Sequence, residues 1–252
     1  SAEDLEEEFG QGSINSASII PPPGLNSAQT LKIQLPRVFA IFLNQDEFKP
    51  FRDSPLREAL TLAIDRERIV EEVAGGLGRA TSLPIPPGTL GHASTLEDLT
   101  YDSARAKEIL ALAGFKDTDG DGIVEKISGK EKTPIAFRIA TSDTPELVKT
   151  AELVRDMWRE IGIAVEVEPF ELGDLENIIR FRTYHTLLFG QVFGYDPDPF
   201  AFWHASQRND PGLNIALYAN TRVDKLLDAA RTTTDTEKRK ELYKFFQEEI
   251  TK

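Results

Sequence analysis

An acidic loop in the middle of the chain has the residue types of a calcium site. Residues 117–122 read DTDGDG, which matches the start of a calcium-binding loop, with carboxylates at positions one, three and five and glycine at six. Position nine is Glu125, but position twelve is Ser128 instead of the usual bidentate glutamate. The alternative is an Asp/Gly turn between a helix and a strand. Calcium is the single cofactor we consider, with the candidate ligands Asp117, Asp119, Asp121 and Glu125.

A second group of residues combines aromatic rings with carboxylates. Residues 193–204 contain five aromatic side chains and two aspartates, directly after a predicted strand. Loops after the carboxyl ends of parallel strands bind ligands in open α/β sheets, and aromatic walls suit small-molecule pockets. The alternative is that the rings fill a core beneath the loop. The candidate ligand-binding residues here are Phe193, Tyr195, Asp196, Asp198, Phe200 and Trp203.

Catalytic machinery is not evident in the sequence. Asp196 and Asp198 could in principle form a hydrolytic carboxylate pair, but neighbours separated by one proline rarely have the required spacing across a substrate. The three histidines, His92, His185 and His204, are scattered and lack metal-ligand spacing. No phosphate-binding, nucleophile-elbow or zinc-protease motif is present. We therefore expect a protein that is not an enzyme.

Composition limits the partners further. The 252 residues include 29 basic and 42 acidic side chains, a net charge of −13, which disfavours binding to nucleic acid. The hydrophobic fraction of 40% is enough for a substantial core. The first residues lack the basic and apolar stretches of a signal peptide, so we expect either a cytosolic protein or a processed or trimmed chain.

Hydrophobic periodicity and capping residues predict the elements that position these groups. Residues 1–36 are irregular and read as a lead-in. Residues 37–44 read as a strand buried on both faces, followed by a helix with Ser54 as its cap and a second helix capped by Asp65. A further helix follows Asp102, and residues 116–129 form a turn-rich loop.

A strand–helix–strand unit is the clearest pattern in the sequence. A strand at 135–140, an amphipathic helix from Thr144 to its stop at Gly162, and an alternating strand from Ile163 predict a parallel strand pair. A helix at 172–182, a strand at 186–193 and helices at 223–231 and from 236 onwards complete the prediction.

The order of these segments resembles family 5 of the extracellular solute-binding proteins, the oligopeptide-, dipeptide- and nickel-type receptors of ABC importers. Residues 51–66, FRDSPLREALTLAIDR, follow the signature F-x-D-x-x-(V/L)-R-x-A-(L/I)-x-x-A-I-D-R of that family. Further matches are GGLG at 75–78 leading to PIPP at 84–87, LALAGF at 110–115, the Asp-rich turn, YDPD at 195–198 and residues 220–227. The resemblance covers residues 37–252.

This resemblance implies a fold and a cellular role. It implies an α/β, type II periplasmic-binding-protein lobe with a mixed, mainly parallel sheet flanked by helices. Residues 37–252 would be the second, C-terminal lobe, and residues 1–36 a lead-in from a missing first lobe. Such a lobe would be monomeric and packed against the first lobe, would present a solute, most simply a peptide, to a membrane permease, and would work outside the cytoplasm as a periplasmic or cell-surface lipoprotein.

The resemblance also implies a binding mode. In peptide-binding relatives, the strand corresponding to residues 189–193 pairs with the peptide backbone, which adds Gly190 and Gln191 to the candidate ligand-binding residues. An aspartate near the end of that strand holds the peptide's α-amino group in those relatives. Here Phe193 or Gly194 stands near that place, and Asp196 is the first carboxylate available. Oligosaccharide- and nickel-type receptors remain alternatives within the family, as do a hydrolase and a calcium-dependent interaction module outside it.

Overall fold

The structure is a computed structural model that describes residues 35–96 and 100–251, together with Asp4, Glu8, Gln11 and Ser13. The predicted lead-in at 1–36 therefore lies almost wholly outside the described residues. The strands are β1 (Arg37–Leu43), β2 (Phe115–Lys116), β3 (Glu125–Ser128), β4 (Glu131–Pro134), β5 (Ala136–Ser142), β6 (Ala164–Phe170) and β7 (Thr186–Val192).

The helices surround these strands and follow the predicted order, except for a short helix at Phe200–Trp203 that the sequence analysis does not predict. They are α1 (Ser54–Leu62), α2 (Arg66–Ala74), α3 (Ser103–Leu112), α4 (Pro145–Glu160), α5 (Leu172–Phe181), α6 (Phe200–Trp203), α7 (Thr221–Thr232) and α8 (Thr236–Ile250). Short 3₁₀ turns lie at Lys49–Arg52 and Ala205–Gln207. Within the described residues, none of the helices combines the length and the apolar character that crossing a membrane requires.

The main sheet is mixed, as the α/β prediction requires. Its strand order is β1-β7-β5-β6; β5 runs parallel to both β6 and β7, and β1 runs antiparallel to β7. The predicted parallel pair around the amphipathic helix is confirmed as β5, α4 and β6. Within this unit, Gly162 ends helix α4 with a φ of +82°, a conformation that glycine adopts at little cost.

Helices cover both faces of the sheet. On one face α1, α3 and α4 enclose a core that includes Leu60, Trp158 and Leu188, and the Trp158 indole nitrogen donates to the carbonyl of Leu60 at 2.9 Å. On the other face α5 contributes Leu175 to a second core with Leu187. A third core, beside the sheet, joins α7 and α8 to Ile85.

Local signals predicted the helix starts well. Asp65 and Asp102 accept hydrogen bonds from the backbone nitrogens of Arg68 and Arg105, as expected of N-caps. The cap predicted at Ser54 is one residue too late, because Asp53 occupies the N-cap and Ser54 is the first helical residue.

Two predictions of local structure are wrong. Strand β1 is not buried on both faces: it lies at the edge of the sheet, and the Phe39 side chain is 52% exposed. The segment 116–129 is not only a loop, because it contains β3 and the end of β2, which form a small antiparallel sheet with β4 just beyond it. Its strands are short and Asp/Gly-rich turns interrupt them, so no period-two pattern of useful length exists in the sequence.

Candidate functional site

Strand β7 has one edge that is only partly paired. On its other side, β7 pairs with β1 along its whole length. The hydrogen bonds at the two ends of this ladder show which residues of β7 bond to β1. The amide of Asn44 donates to the carbonyl of His185, and the amide of Phe193 donates to the carbonyl of Pro36. In an antiparallel ladder, a residue directs both its N–H and its C=O to the same neighbouring strand, and successive residues alternate between the two sides of the strand. Gly190 and Val192 therefore direct their N–H and C=O groups away from β1.

The neighbouring strand leaves this side open. Pairing of β7 with β5 is confined to Thr186 and Leu187 in the part of the chain that the structure describes. The Thr141 hydroxyl then donates to the carbonyl of Leu188 at 3.0 Å, which satisfies the next backbone group. Beyond it, on the side that faces away from β1, Gly190 and Val192 have no strand partner among the described residues. This open edge, residues 190–192 of β7, is a template for an added strand.

Side chains around the open edge divide between the two faces of the sheet. Phe39 lies directly opposite Gly190, and a Cβ on Gly190 would come within 2.9 Å of the Phe39 ring. Val192 is 62% exposed beside them. Gln191 is buried, and its Nε2 has no hydrogen-bond partner within the described residues. The predicted ligand-binding residues Gly190 and Gln191 thus lie on the open edge. Phe39, which the sequence analysis does not name as a ligand-binding residue, lies next to them.

The predicted aromatic residues after β7 are mostly packed inside the protein. Phe193 is buried and meets Phe202 edge-on, with ring centroids 5.1 Å apart. Phe200 lies between two groups: the His204 ring stacks on it at 4.1 Å, and the Arg231 guanidinium lies 4.1 Å from its centroid. Phe200 thus already has close partners of its own, which leaves little room for it to stack on a sugar.

The other two predicted aromatic residues differ sharply from each other. Trp203 packs against Tyr218 and Phe246 at the edge of the third core. Tyr195 is 78% exposed, and its carbonyl accepts a hydrogen bond from the Leu90 amide. Of the four predicted aromatic residues, Tyr195 is the one whose side chain is most open to a ligand.

The two predicted aspartates are each held by a separate arginine. Asp196 accepts from Arg239 at 2.6 Å, and Asp198 accepts from Arg231 at 2.8 Å. Between them, the carbonyl of Pro197 accepts from the Tyr243 hydroxyl at 2.7 Å, and burial raises the pKa of that phenol to about 12. Each aspartate is thus ion-paired through its Oδ2 with an arginine of a C-terminal helix.

The predicted metal ligands come together only in part. Asp117, Asp119 and Asp121 are exposed and offer oxygens within 4.8 Å of one another. Glu125 lies outside this trio, because its carboxylate accepts from the backbone nitrogen and the hydroxyl of Thr118 at 2.9 and 3.1 Å. The aspartates also accept backbone N–H groups of their own loop, such as that of Gly120 at 2.7 Å. The trio thus contains three of the four predicted calcium ligands, Glu125 lines the same concavity as Asp119 and Asp121, and calcium binding stays a prediction.

One residue beside the open edge was missed by the sequence prediction. Phe39 was assigned to the interior of a doubly buried strand, whereas it covers Gly190 at the sheet surface. A signal was present: an isolated glycine within a strand pattern marks a place where another group approaches the backbone closely. The sequence could not identify that group, because the partner lies on a strand about 150 residues away.

Comparison with known proteins gives a consistent picture. The sequence model described as "Bacterial extracellular solute-binding proteins, family 5 Middle" matches residues 3–212. The oligopeptide-binding protein AppA of Bacillus subtilis is 30% identical over 205 residues, which are 79% of this chain and 37% of AppA. The chain spans less than half the length of the curated relatives it matches.

Solved structures agree with the sequence comparison. The structure of Bacillus subtilis AppA in complex with a nonapeptide superposes with a TM-score of 0.79 at 28% identity, over 86% of this chain and 43% of that one. NikZ from Campylobacter jejuni in complex with Ni(L-His) gives a TM-score of 0.80 at 25% identity, over 97% of this chain and 50% of that one. Both similarities support the predicted binding-protein lobe.

Proposed function

The chain belongs to family 5 of the bacterial extracellular solute-binding proteins, and we propose that it forms one lobe of a receptor that captures peptides for an ABC importer. The family is one of binding proteins, not enzymes. We further propose that this chain has no catalytic activity, that it works outside the cytoplasm in the periplasm or as a cell-surface lipoprotein, and that its protein partner is a membrane permease.

The open edge of β7 is the observation that carries the peptide proposal. Gly190 and Val192 present N–H and C=O groups on a side where β5 no longer pairs. An extended peptide satisfies such groups through its own backbone, so that binding tolerates many side chains. Oligosaccharides have no matching repeat of backbone donors and acceptors, which makes them the weaker candidate.

Recognition of the peptide's amino terminus should differ from that in relatives with an acid at the end of the strand. Phe193 is buried at that place, and Asp196, the first carboxylate, already pairs with Arg239. We propose that affinity comes mainly from the backbone pairing and depends little on a free α-amino group.

Closure of two lobes supplies the mechanism. A peptide that contacts both lobes stabilises the closed state by its differential affinity for that state, and the permease reads the closed form. Because this chain spans 37% of the length of AppA, it would supply only part of such a site. The chain by itself should then bind peptides weakly.

The nickel alternative rests on the similarity to NikZ. Two histidines, His92 and His204, have ring nitrogens engaged with Ile85 and Ser206, each at 2.8 Å. His185 accepts from the backbone of Arg138. None of the three histidines is among residues 190–192 of the open edge, and each already has a hydrogen-bond partner of its own.

The test uses a full-length, two-lobe version that restores the part present in the relatives, titrated calorimetrically with di- to pentapeptides. Val192→Pro removes an N–H that faces the open edge, whereas Gln191→Pro removes one that bonds β1. We expect Val192→Pro to abolish peptide binding while the protein remains folded, and Gln191→Pro to unfold or strongly destabilise it. Unchanged peptide affinity in Val192→Pro would exclude strand addition at β7.

A further inference from the structure

A polar concavity lies at the other end of the main sheet from residues 190–192. It has a volume of about 410 Å³ and is formed by two segments distant in sequence, one following β1 and one leading into α7. Its position is clear from the register: β1 ends at Leu43 opposite Thr186, the first residue of β7. The lining includes Asp46, Arg52, Arg57, Arg208, Tyr218 and Asn220.

Two of the three lining arginines share one carboxylate in this concavity. Arg52 donates to one oxygen of Asp46 at 3.1 Å, and Arg208 donates to the other at 3.2 Å. Arg57 is held by backbone instead, since its Nη1 donates to the carbonyls of Phe51 and Arg52 at 2.7 and 3.0 Å. The lining arginines and Asp46 therefore leave a surplus of two positive charges, in a chain whose net charge is −13.

A buried donor in the cluster lacks an acceptor. The Nε of Arg208 is shielded from solvent and has no hydrogen-bond partner among the described residues. A buried guanidinium N–H without an acceptor costs folding free energy. A carboxylate or phosphate satisfies guanidinium donors, because two of its oxygens accept two parallel N–H bonds.

The start of helix α7 adds to the positive potential. Its N-cap, Asn220, lines the concavity and accepts the amides of Arg222 and Val223. The positive end of the helix dipole therefore lies beside the arginines. Tyr218, whose pKa burial raises, remains a neutral phenol next to them.

We propose that this concavity binds a small oxyanion, a carboxylate or phosphate group, through the guanidinium groups of Arg52, Arg57 and Arg208. The planar guanidinium forks match the two-oxygen geometry of such groups. The bound anion competes with Asp46 for Arg52 and Arg208, and it links the segment after β1 to the segment before α7. This site is independent of the peptide proposal, because none of its lining residues belongs to β7.

The test measures binding of inorganic phosphate and of citrate to this chain by calorimetry, with chloride at equal ionic strength as the reference. We expect saturable binding of at least one of the two anions. Arg208→Gln and Arg52→Gln should each weaken it by roughly tenfold, because each removes a charge-assisted hydrogen-bond donor. Arg159→Gln, at an exposed position on α4, is the matched charge control and should bind as the unmodified chain does.

The Asp46→Asn variant tests whether Asp46 competes with the bound anion for the arginines. Removing the competing carboxylate should tighten anion binding, whereas a purely structural arginine cluster would gain nothing from the change. Circular dichroism checks that each variant is folded. Two results would overturn the proposal: no saturable binding of either anion, or affinities in both arginine variants that match Arg159→Gln.

Discussion

The ring of Phe39 lies across Gly190 on the neighbouring strand. The two residues form a directly opposed pair in the β1–β7 ladder, and a Cβ built on Gly190 would be 2.9 Å from a ring carbon of Phe39. The ring is half-exposed. It covers the β7 backbone at Gly190, whose N–H and C=O face the open edge. Glycine at this position allows the aromatic ring and the strand to be in contact.

Gly190→Ala should displace this ring. We expect a loss of about 1 kcal/mol in the free energy of unfolding, because the added methyl group overpacks the contact. In a Phe39→Ala background the same substitution should be neutral or slightly stabilising, since the clash is gone and alanine restricts the unfolded chain. Urea denaturation of the unmodified chain and the three variants measures the coupling, and equal effects of Gly190→Ala in both backgrounds would contradict it.

Tyr243→Phe should loosen the loop that carries the two aspartates. The Tyr243 hydroxyl donates to the carbonyl of Pro197 in a buried setting, and the substitution keeps the ring but leaves that carbonyl unsatisfied. We expect a loss of about 1 kcal/mol in unfolding free energy. Tyr101→Phe, at an exposed tyrosine, serves as the control, and equal stability of the two variants would contradict the argument.

His185 should titrate below its ordinary value. Burial lowers its pKa, and the nearby charge of Arg138 lowers it further. Because the folded state then binds fewer protons than the unfolded state, this histidine makes the protein less stable as pH falls below about 6.5 towards the lowered pKa.

Arg138→Gln separates the two causes. It should raise the pKa of His185 part of the way back, since the repelling charge is removed and the burial remains. Titration followed by NMR measures this value directly, with Arg159→Gln as the control. A pKa of His185 that does not rise in Arg138→Gln would show that Arg138 has no such effect.

Calcium should bind the Asp117 loop weakly at most. Three exposed carboxylates without a bidentate glutamate correspond to a dissociation constant of about 1 mM or higher. At about 1 mM calcium this gives about 0.4 kcal/mol or less, a rise of about 1 °C in melting temperature. Asp119→Ala should remove the shift, and a rise of many degrees that depends on Asp119 would instead establish a dedicated site.

Local sequence signals were sufficient for most elements of the fold. The caps at Asp65 and Asp102, the stop at Gly162 and the apolar face of α4 depend on residues within a few positions of each other. Such short-range patterns determine helix boundaries and the strand–helix–strand unit. The family resemblance at 51–66 also came from a contiguous segment, and the matching family model confirms it.

Tertiary structure decided the features on which the two proposed binding sites rest. Pairing register placed Phe39 over Gly190 and left the edge of β7 open. Asp46 and Arg208 meet across 162 positions of sequence in the arginine concavity. Asp196 pairs with an arginine of α8 and Asp198 with an arginine of α7. Local periodicity specifies which side of an element is apolar, but ladder pairs and ion pairs join distant residues, and only packing of the whole chain brings these together.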